Sequence, residues 1–211
     1  MPRPLFILFA KAPVPGRVKT RLCPPLSATE AAGLHMALVA DTGEMLLELI
    51  EQADIELSTD EPTEAWHEFP FRRSIQAAGN LGTRLLCAIE LGLSSGREVV
   101  TLLGSDSPGL PPAHLLKLID STADLTLGPT PDGGFYGIAC RAFHPKMFAG
   151  VRWSSEHTLL DVAAAASACG FTVETGPAWF DIDVEADLRR MLEMPDLPGK
   201  TATWIRSYRA C

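Results

Sequence analysis

The chain has 211 residues, 46% of them hydrophobic, and a formal net charge of -8. That length carries one well-packed core and is short for two, so a single domain over residues 1–211 is expected. The acidic balance excludes a general binder of nucleic acid or of anionic membranes, which needs surplus Lys and Arg.

The first element in chain order is an apolar run, Leu5–Ala10, read as a buried strand. It delivers a Pro/Gly loop, Lys11 to Arg21, that carries Lys11, Arg17, Lys19 and Arg21 with no acid among them. Open α/β sheets hold ligands at the C-terminal ends of their strands, so this cationic loop is read as a cradle for the phosphates of a nucleotide. Surface salt bridges to the acidic remainder are the plainer alternative. Ser27 with Glu30 forms a capping-box pattern, and helical spacing continues to Gln52. Residues 53–60 alternate as a strand. Residues 63–74 lack a period and are read as a loop with at most one helical turn, and their apolar residues Trp66 to Phe71 as an exposed contact surface. Gly79-Asn80-Leu81-Gly82 precedes a helical pattern through Leu93, and glycine there permits a positive φ or close approach to a planar ligand.

Glu98–Gly104 is β-branched and apolar without alternation, the signature of a central strand covered on both faces. It ends at Ser105-Asp106-Ser107-Pro108, which puts the Asp106 carboxylate at the strand's C-terminal edge. Pro111 and Pro112 open a short helix. Two strands, 124–129 and 134–140, flank Thr130-Pro131-Asp132-Gly133, where Asp-Gly is itself a turn signal. A helix is expected from Trp153 to Gly170, then a strand at 171–175. Asp181 and Asp183 share one side of an extended segment, followed by a helix from Val184 to Met194. The tail from Pro195 is broken by Pro and Gly, with room for one last helical turn at Trp204, Ile205 and Tyr208.

The five cysteines, Cys23, Cys87, Cys140, Cys169 and Cys211, form no C-x-x-C pair, which points to a reducing compartment without a zinc site. With no long apolar span and no signal-peptide pattern, cytoplasmic location is expected. Alternating strands and helices imply a mostly parallel sheet with helices on both faces. A cationic loop with separated carboxylates at Asp106 and Asp183 suits phosphates bridged to protein by a divalent ion. Gly16 to Thr20 lacks the second glycine of a Walker loop, and no G-x-G-x-x-G follows a strand. Gly104-Ser105-Asp106-Ser107-Pro108 imitates a nucleophile elbow, which leaves an Asp-nucleophile hydrolase with His144 or His157 as base among the alternatives.

Six segments, in order, resemble the DUF2064, or "transferase 1", family of the nucleotide-diphospho-sugar transferase superfamily. They are Phe9 to Leu22, Gln76 with Gly79 to Arg84, Leu103 to Pro108, Gly128-Pro129 with Asp132 to Tyr136, Trp153 to Ser155, and Asp181 to Asp183. The resemblance implies a GT-A fold with Mg2+ or Mn2+ near Asp106 and Asp181 or Asp183. Lys11, Gly16, Arg17, Lys19 and Arg21 would meet the phosphates, and Gly79, Leu81 and Gly82 the base. Asp132, Gly133, Gly134 and Tyr136 would line the acceptor pocket. Two departures stand out: Val184-Glu185-Ala186-Asp187 where the family continues Thr-Pro-Glu-Asp, and Asn80 where an acid is expected. The favoured reaction is nucleotidyl transfer from an NTP to a phosphorylated small molecule, with Asp106 and Lys19 as catalytic residues and pyrophosphate as product. The alternatives are glycosyl transfer from a nucleotide-sugar and a nucleotide-binding regulator without turnover. Base, acceptor and oligomeric state are left open.

Overall fold

A computed structural model describes residues 3–209; Cys211 lies outside them. Seven strands form one sheet in the order β3-β2-β1-β4-β6-β5-β7. They are β1 (Leu5–Ala10), β2 (Asp54–Thr59), β3 (Arg72–Ile75), β4 (Val100–Leu103), β5 (Leu125–Pro129), β6 (Phe135–Cys140) and β7 (Val173–Thr175). β6 pairs antiparallel with both β4 and β5, and every other pairing is parallel. β1 is apolar throughout and β4 apolar but for the buried Thr101, because each face meets a layer. Phe6 and Leu8 pack with Val39 and Leu46 on one side, and Leu5 and Ile7 with Leu85 and Ile89 on the other.

The helices are α1 (Ala28–Leu47), α2 (Leu81–Ser94), α3 (Pro112–Asp120), α4 (Thr158–Ala168), α5 (Glu185–Glu193) and α6 (Gly199–Arg209). None of the described helices is long and apolar enough to cross a membrane. The Ser27–Glu30 capping box starts α1 as expected. The helix stops at Leu47, short of Gln52, because the chain changes to i→i+3 bonds, Leu49 to Leu46 and Gln52 to Leu49, while turning Ala53 into β2. α4 begins at Thr158, five residues later than expected. The preceding stretch is held as a loop by Arg152, which pairs bidentately with Asp161 at 2.8 Å, and by Ser154 at φ 56°.

Two regions differ more deeply from the sequence expectation. Trp66, Phe69 and Phe71 are buried in the core rather than exposed, and the chain after them pairs as β3 at the sheet edge. Its residues Arg72 and Arg73 are exposed and lack the alternation that marks a strand. The tail forms an eleven-residue helix, α6, instead of one turn. The buried Asp41 of α1 accepts the backbone N–H groups of Lys200 and Thr201, both at 2.8 Å, which caps α6 from a distant part of the chain. Ile205 joins Leu34 and Leu38 of α1 with Phe180, Ile182, Leu188 and Met191 in a third apolar cluster.

Asp41→Ala is expected to cost about 1–2 kcal/mol of stability, the usual range for a lost cap. Hydrogen exchange should rise first in the amides of residues 199–209, and unaltered protection there would show that packing alone holds α6.

Candidate nucleotide and cation site

β1 and β4 run parallel, so their C-terminal loops emerge together. Because β6 reverses direction between β4 and β5, the 130–134 turn emerges at the same edge. The segment before α5 is drawn in by backbone hydrogen bonds from Ile182 N–H to the Asp106 carbonyl (2.9 Å) and from Trp179 N–H to the Pro129 carbonyl (3.0 Å). Phe180 and Ile182 are buried in the third cluster, which leaves Asp181 and Asp183, the alternate positions, only partly buried.

A cavity of about 430 Å³ opens at this edge, bordered by Lys11, Arg17, Lys19, Arg21, Asp106 and Asp183. The cations do not stand free to the same degree. Arg17 holds Glu61 at 2.8 Å, with Asp60 at 3.9 Å. Lys19, its side chain 5% exposed, lies 2.9 Å from Asp106 and 3.5 Å from Asp183, and donates to the Ile182 carbonyl. Arg21 reaches Asp183 at 3.4 Å. Among the described residues Lys11 has no ion-pair partner.

Burial alone would raise the Asp106 pKa, but Lys19, with His35 and Lys11, outweighs it and holds the carboxyl below its usual range. Its side-chain partners are Lys19 and Ser105, with no histidine among them. His144 instead accepts from the Lys146 N–H and contacts the Cys169 thiol, and His157 lies beside Glu156. A hydrolase base at Asp106 from either of these is therefore without structural support.

Asp132, Asp181 and Asp183 form a second feature, each with an oxygen within 4.8 Å of the others. Burial, then repulsion from Asp132 and Asp183, pushes the Asp181 carboxyl up to about 7. Three hard oxygen donors whose mutual repulsion a dication would relieve fit Mg2+ or Mn2+. Asp106 is not part of this group. Asp132 also shapes its own turn, accepting from the Thr130 hydroxyl at 2.5 Å and the Gly134 N–H at 3.0 Å. Gly133 sits at φ +85°, and a Cβ there would lie 2.1 Å from the Glu156 carbonyl oxygen, so the turn is pressed against the approach to α4.

The remaining sequence-predicted residues divide by place. Leu81 borders the cavity, whereas Gly82 is buried beneath Trp153, where a Cβ would meet the indole at 3.0 Å. Gly79, at φ +117°, turns the chain into α2, and Asn80 caps that helix by accepting from the Thr83 N–H at 2.9 Å. The cap role is one that Asp fills equally well, so it does not explain the amide where an acid was expected. Gly16, at φ +79°, turns the cationic loop after β1 in open space. Tyr136 is 2% exposed and donates its hydroxyl to the Pro177 carbonyl at 3.0 Å, and burial pushes its pKa up to about 12.

His35 and Arg84 also border the cavity; no sequence pattern announced His35, and Arg84 closes the Gly79 to Arg84 segment without a role having been assigned to it. The His35 Nε2–H donates to the Lys11 carbonyl at 2.9 Å, and burial lowers the imidazole pKa. Arg84 donates to the Gly79 carbonyl and to Gln76, whose amide donates to the Ala10 and Ser58 carbonyls.

A family model described as "Uncharacterized protein conserved in bacteria (DUF2064)" matches residues 36–155, more than half of the chain. The chain belongs to the DUF2064 family. Among solved structures, this DUF2064 chain is similar to a candidate nucleotide-diphospho-sugar transferase from Desulfovibrio desulfuricans G20. The TM-score is 0.83 with 26% identity, over 99% of each chain. It is also similar to a cytidylyltransferase from Leptospira borgpetersenii, with TM-score 0.61 and 13% identity over 100% of this chain and 95% of that one. A third is glucosyl-3-phosphoglycerate synthase from Mycobacterium tuberculosis, with TM-score 0.52 and 8% identity over 90% and 75%. Comparison with curated proteins finds no match. The DUF2064 chain thus has the α/β, mostly parallel GT-A-like fold shared by nucleotidyl- and glycosyltransferases.

Asp181→Asn tests the acidic group in the metal-free protein. An acid whose folded pKa is raised loses stability as pH climbs from the unfolded value near 4 through about 7. The variant should therefore melt higher than wild type at pH 8, by a few degrees, with the difference vanishing below pH 4. An equal or lower melting temperature at pH 8 would contradict the crowding of charge.

Proposed function

We propose that the chain is a single-domain, cation-dependent transferase that moves a nucleotidyl group from an NTP to a phosphate of a small acceptor. The observation that carries this reading is the cavity in which Lys11, Arg17, Lys19 and Arg21 converge with Asp106 and Asp183. Four cations match the charge of a triphosphate better than that of a single phosphate. An acceptor phosphate oxygen attacks the α-phosphorus, the bond to the bridging oxygen of the β-phosphate breaks, and pyrophosphate leaves. A phosphate nucleophile is already anionic, so no general base is required. Lys19 and Arg21 stabilise the charge gathering on the departing pyrophosphate, and Lys11 and Arg17 orient the chain.

Asp132, Asp181 and Asp183 would hold the divalent ion, while Asp106, outside that group, holds Lys19 at the cavity. When bound, the ion supplies charge neutralisation at the phosphates. His35, bonded to the Lys11 carbonyl, positions that loop from below. Leu81 is proposed to border the base and Asp132 the acceptor pocket, with Gly79, Gly133 and Gly134 in the turns that carry them; Gly82 and Tyr136 are buried behind and line neither cavity. Glycosyl transfer from a nucleotide-sugar is the second reading, supported by the description of the 26%-identical relative from D. desulfuricans.

Calorimetry with Mg2+, the four NTPs and then UDP-, GDP- and dTDP-sugars tests the proposal. One NTP should bind with a metal requirement, and Lys11→Ala should weaken it by roughly tenfold, the value of one charge-assisted hydrogen bond, with less effect on the monophosphate. Preference for a nucleotide-sugar would move the assignment to glycosyl transfer, and binding of neither would overturn it. In a coupled pyrophosphate-release assay with the acceptor in hand, Asp106→Ala should lose turnover by at least about a hundredfold, the scale of a lost electrostatic contact in the reacting site. Undiminished turnover would remove Asp106 from the mechanism.

A further inference from the structure

Asp183 stands between two sets of partners. Its Oδ1 lies 3.5 Å from the Lys19 ammonium and its Oδ2 lies 3.4 Å from Arg21 Nη1. It also contributes an oxygen to the group formed with Asp132 and Asp181. A carboxylate has lone pairs enough for several partners but only one negative charge, so cations gathered around it repel one another and weaken each other's hold. The Lys19 ammonium is seated as a bound ion would be. It is nearly sealed from solvent and meets three oxygens: those of Asp106, Asp183 and the Ile182 carbonyl. Lys19 holds this position from a left-handed backbone conformation, φ 48°, that L-residues other than Asn and Asp seldom adopt. Both cations also border the phosphate cavity.

We propose that Asp183 is a shared counter-ion that couples cation binding to phosphate binding. In the metal-free chain it holds Lys19 and Arg21 back from the phosphate cavity. A divalent ion on Asp132, Asp181 and Asp183 draws that carboxylate off them, which frees Arg21 for phosphate and leaves Lys19 with Asp106 as its one carboxylate partner. The inference rests on the nucleotide-binding reading above. It predicts that ion and phosphate reinforce each other through the protein, because each favours the arrangement in which Asp183 has left Lys19 and Arg21. Removing the charge of Asp183 should then do to the two cations what the ion does.

Two measurements decide it, neither of which reads turnover. In EDTA, calorimetric titration with inorganic tripolyphosphate compares wild type with Asp183→Asn. The variant should bind about three- to tenfold tighter, the scale of a released, partly exposed ion pair. Equal or weaker binding would overturn the proposal. Without phosphate, electron paramagnetic resonance follows Mn2+ binding to wild type and to Lys19→Met. The variant should bind Mn2+ more tightly because its competitor for Asp183 is gone, and unchanged or weaker binding would count equally against the proposal. Far-UV circular dichroism matching wild type establishes that each variant is folded. If wild type binds no Mg-nucleotide, the functional reading fails, while the Mn2+ comparison still decides whether Lys19 and the ion compete for Asp183.

Discussion

The site depends on one buried ammonium. Lys19 bridges the loop after β1, the Asp106 loop after β4 and the Asp183 segment before α5, three stretches far apart in sequence. Asp106 and Asp183 both reach it, and without it their charges would face each other with less compensation at the sheet edge. The backbone of Lys19 is left-handed, a conformation that costs about 1–2 kcal/mol for a residue with a Cβ. The cation contacts made from that position offset the cost.

Much of this was legible in the chain, and for identifiable reasons. β1 and β4 are buried on both faces, so apolar runs, broken in β4 only by Thr101, mark them. Ser27 with Glu30 and Pro112 at the start of α3 act locally, and local signals survive in sequence. The placement of Lys19, Arg21, Asp106 and Asp183 around one cavity followed from strand ends meeting at one edge. What failed was long-range. Asp41 caps α6 across a separation of 160 residues to Thr201, which no window of sequence contains. Trp66, Phe69 and Phe71 have no period because they enter the core from an irregular segment. Asp132 looked complete as a turn residue, yet the reversed strand β6 carries it to Asp181 and Asp183 as well. His35 and Arg84 lie on helices whose pattern records burial, not which cavity lies beside them.

The topology explains why an acidic protein can keep a cationic site. The cations sit on a loop leaving the β1 end of the sheet, and the acids come from the turn beyond β5 and the segment before α5. Backbone hydrogen bonds from Ile182 to Asp106 and from Trp179 to Pro129 hold the acidic segment at the edge where the β1 loop also emerges, so the opposing charges meet only in the folded chain. The third apolar cluster, by taking Phe180 and Ile182, leaves the alternate carboxylates at the surface of the site.

An open sheet also has two borders, and unpaired strand edges are templates on which other chains can add and aggregate. Here one border is β3, four residues long with Arg72 and Arg73 both exposed, and Arg73 donates to the Thr63 and Ala65 carbonyls. The other is β7, three residues long, with Glu174 and Thr175 exposed. One edge is guarded by positive charge and the other by brevity. The exposed Arg72 and Arg73 that hid β3 from a reading of the sequence are thus what protects that flank from strand addition.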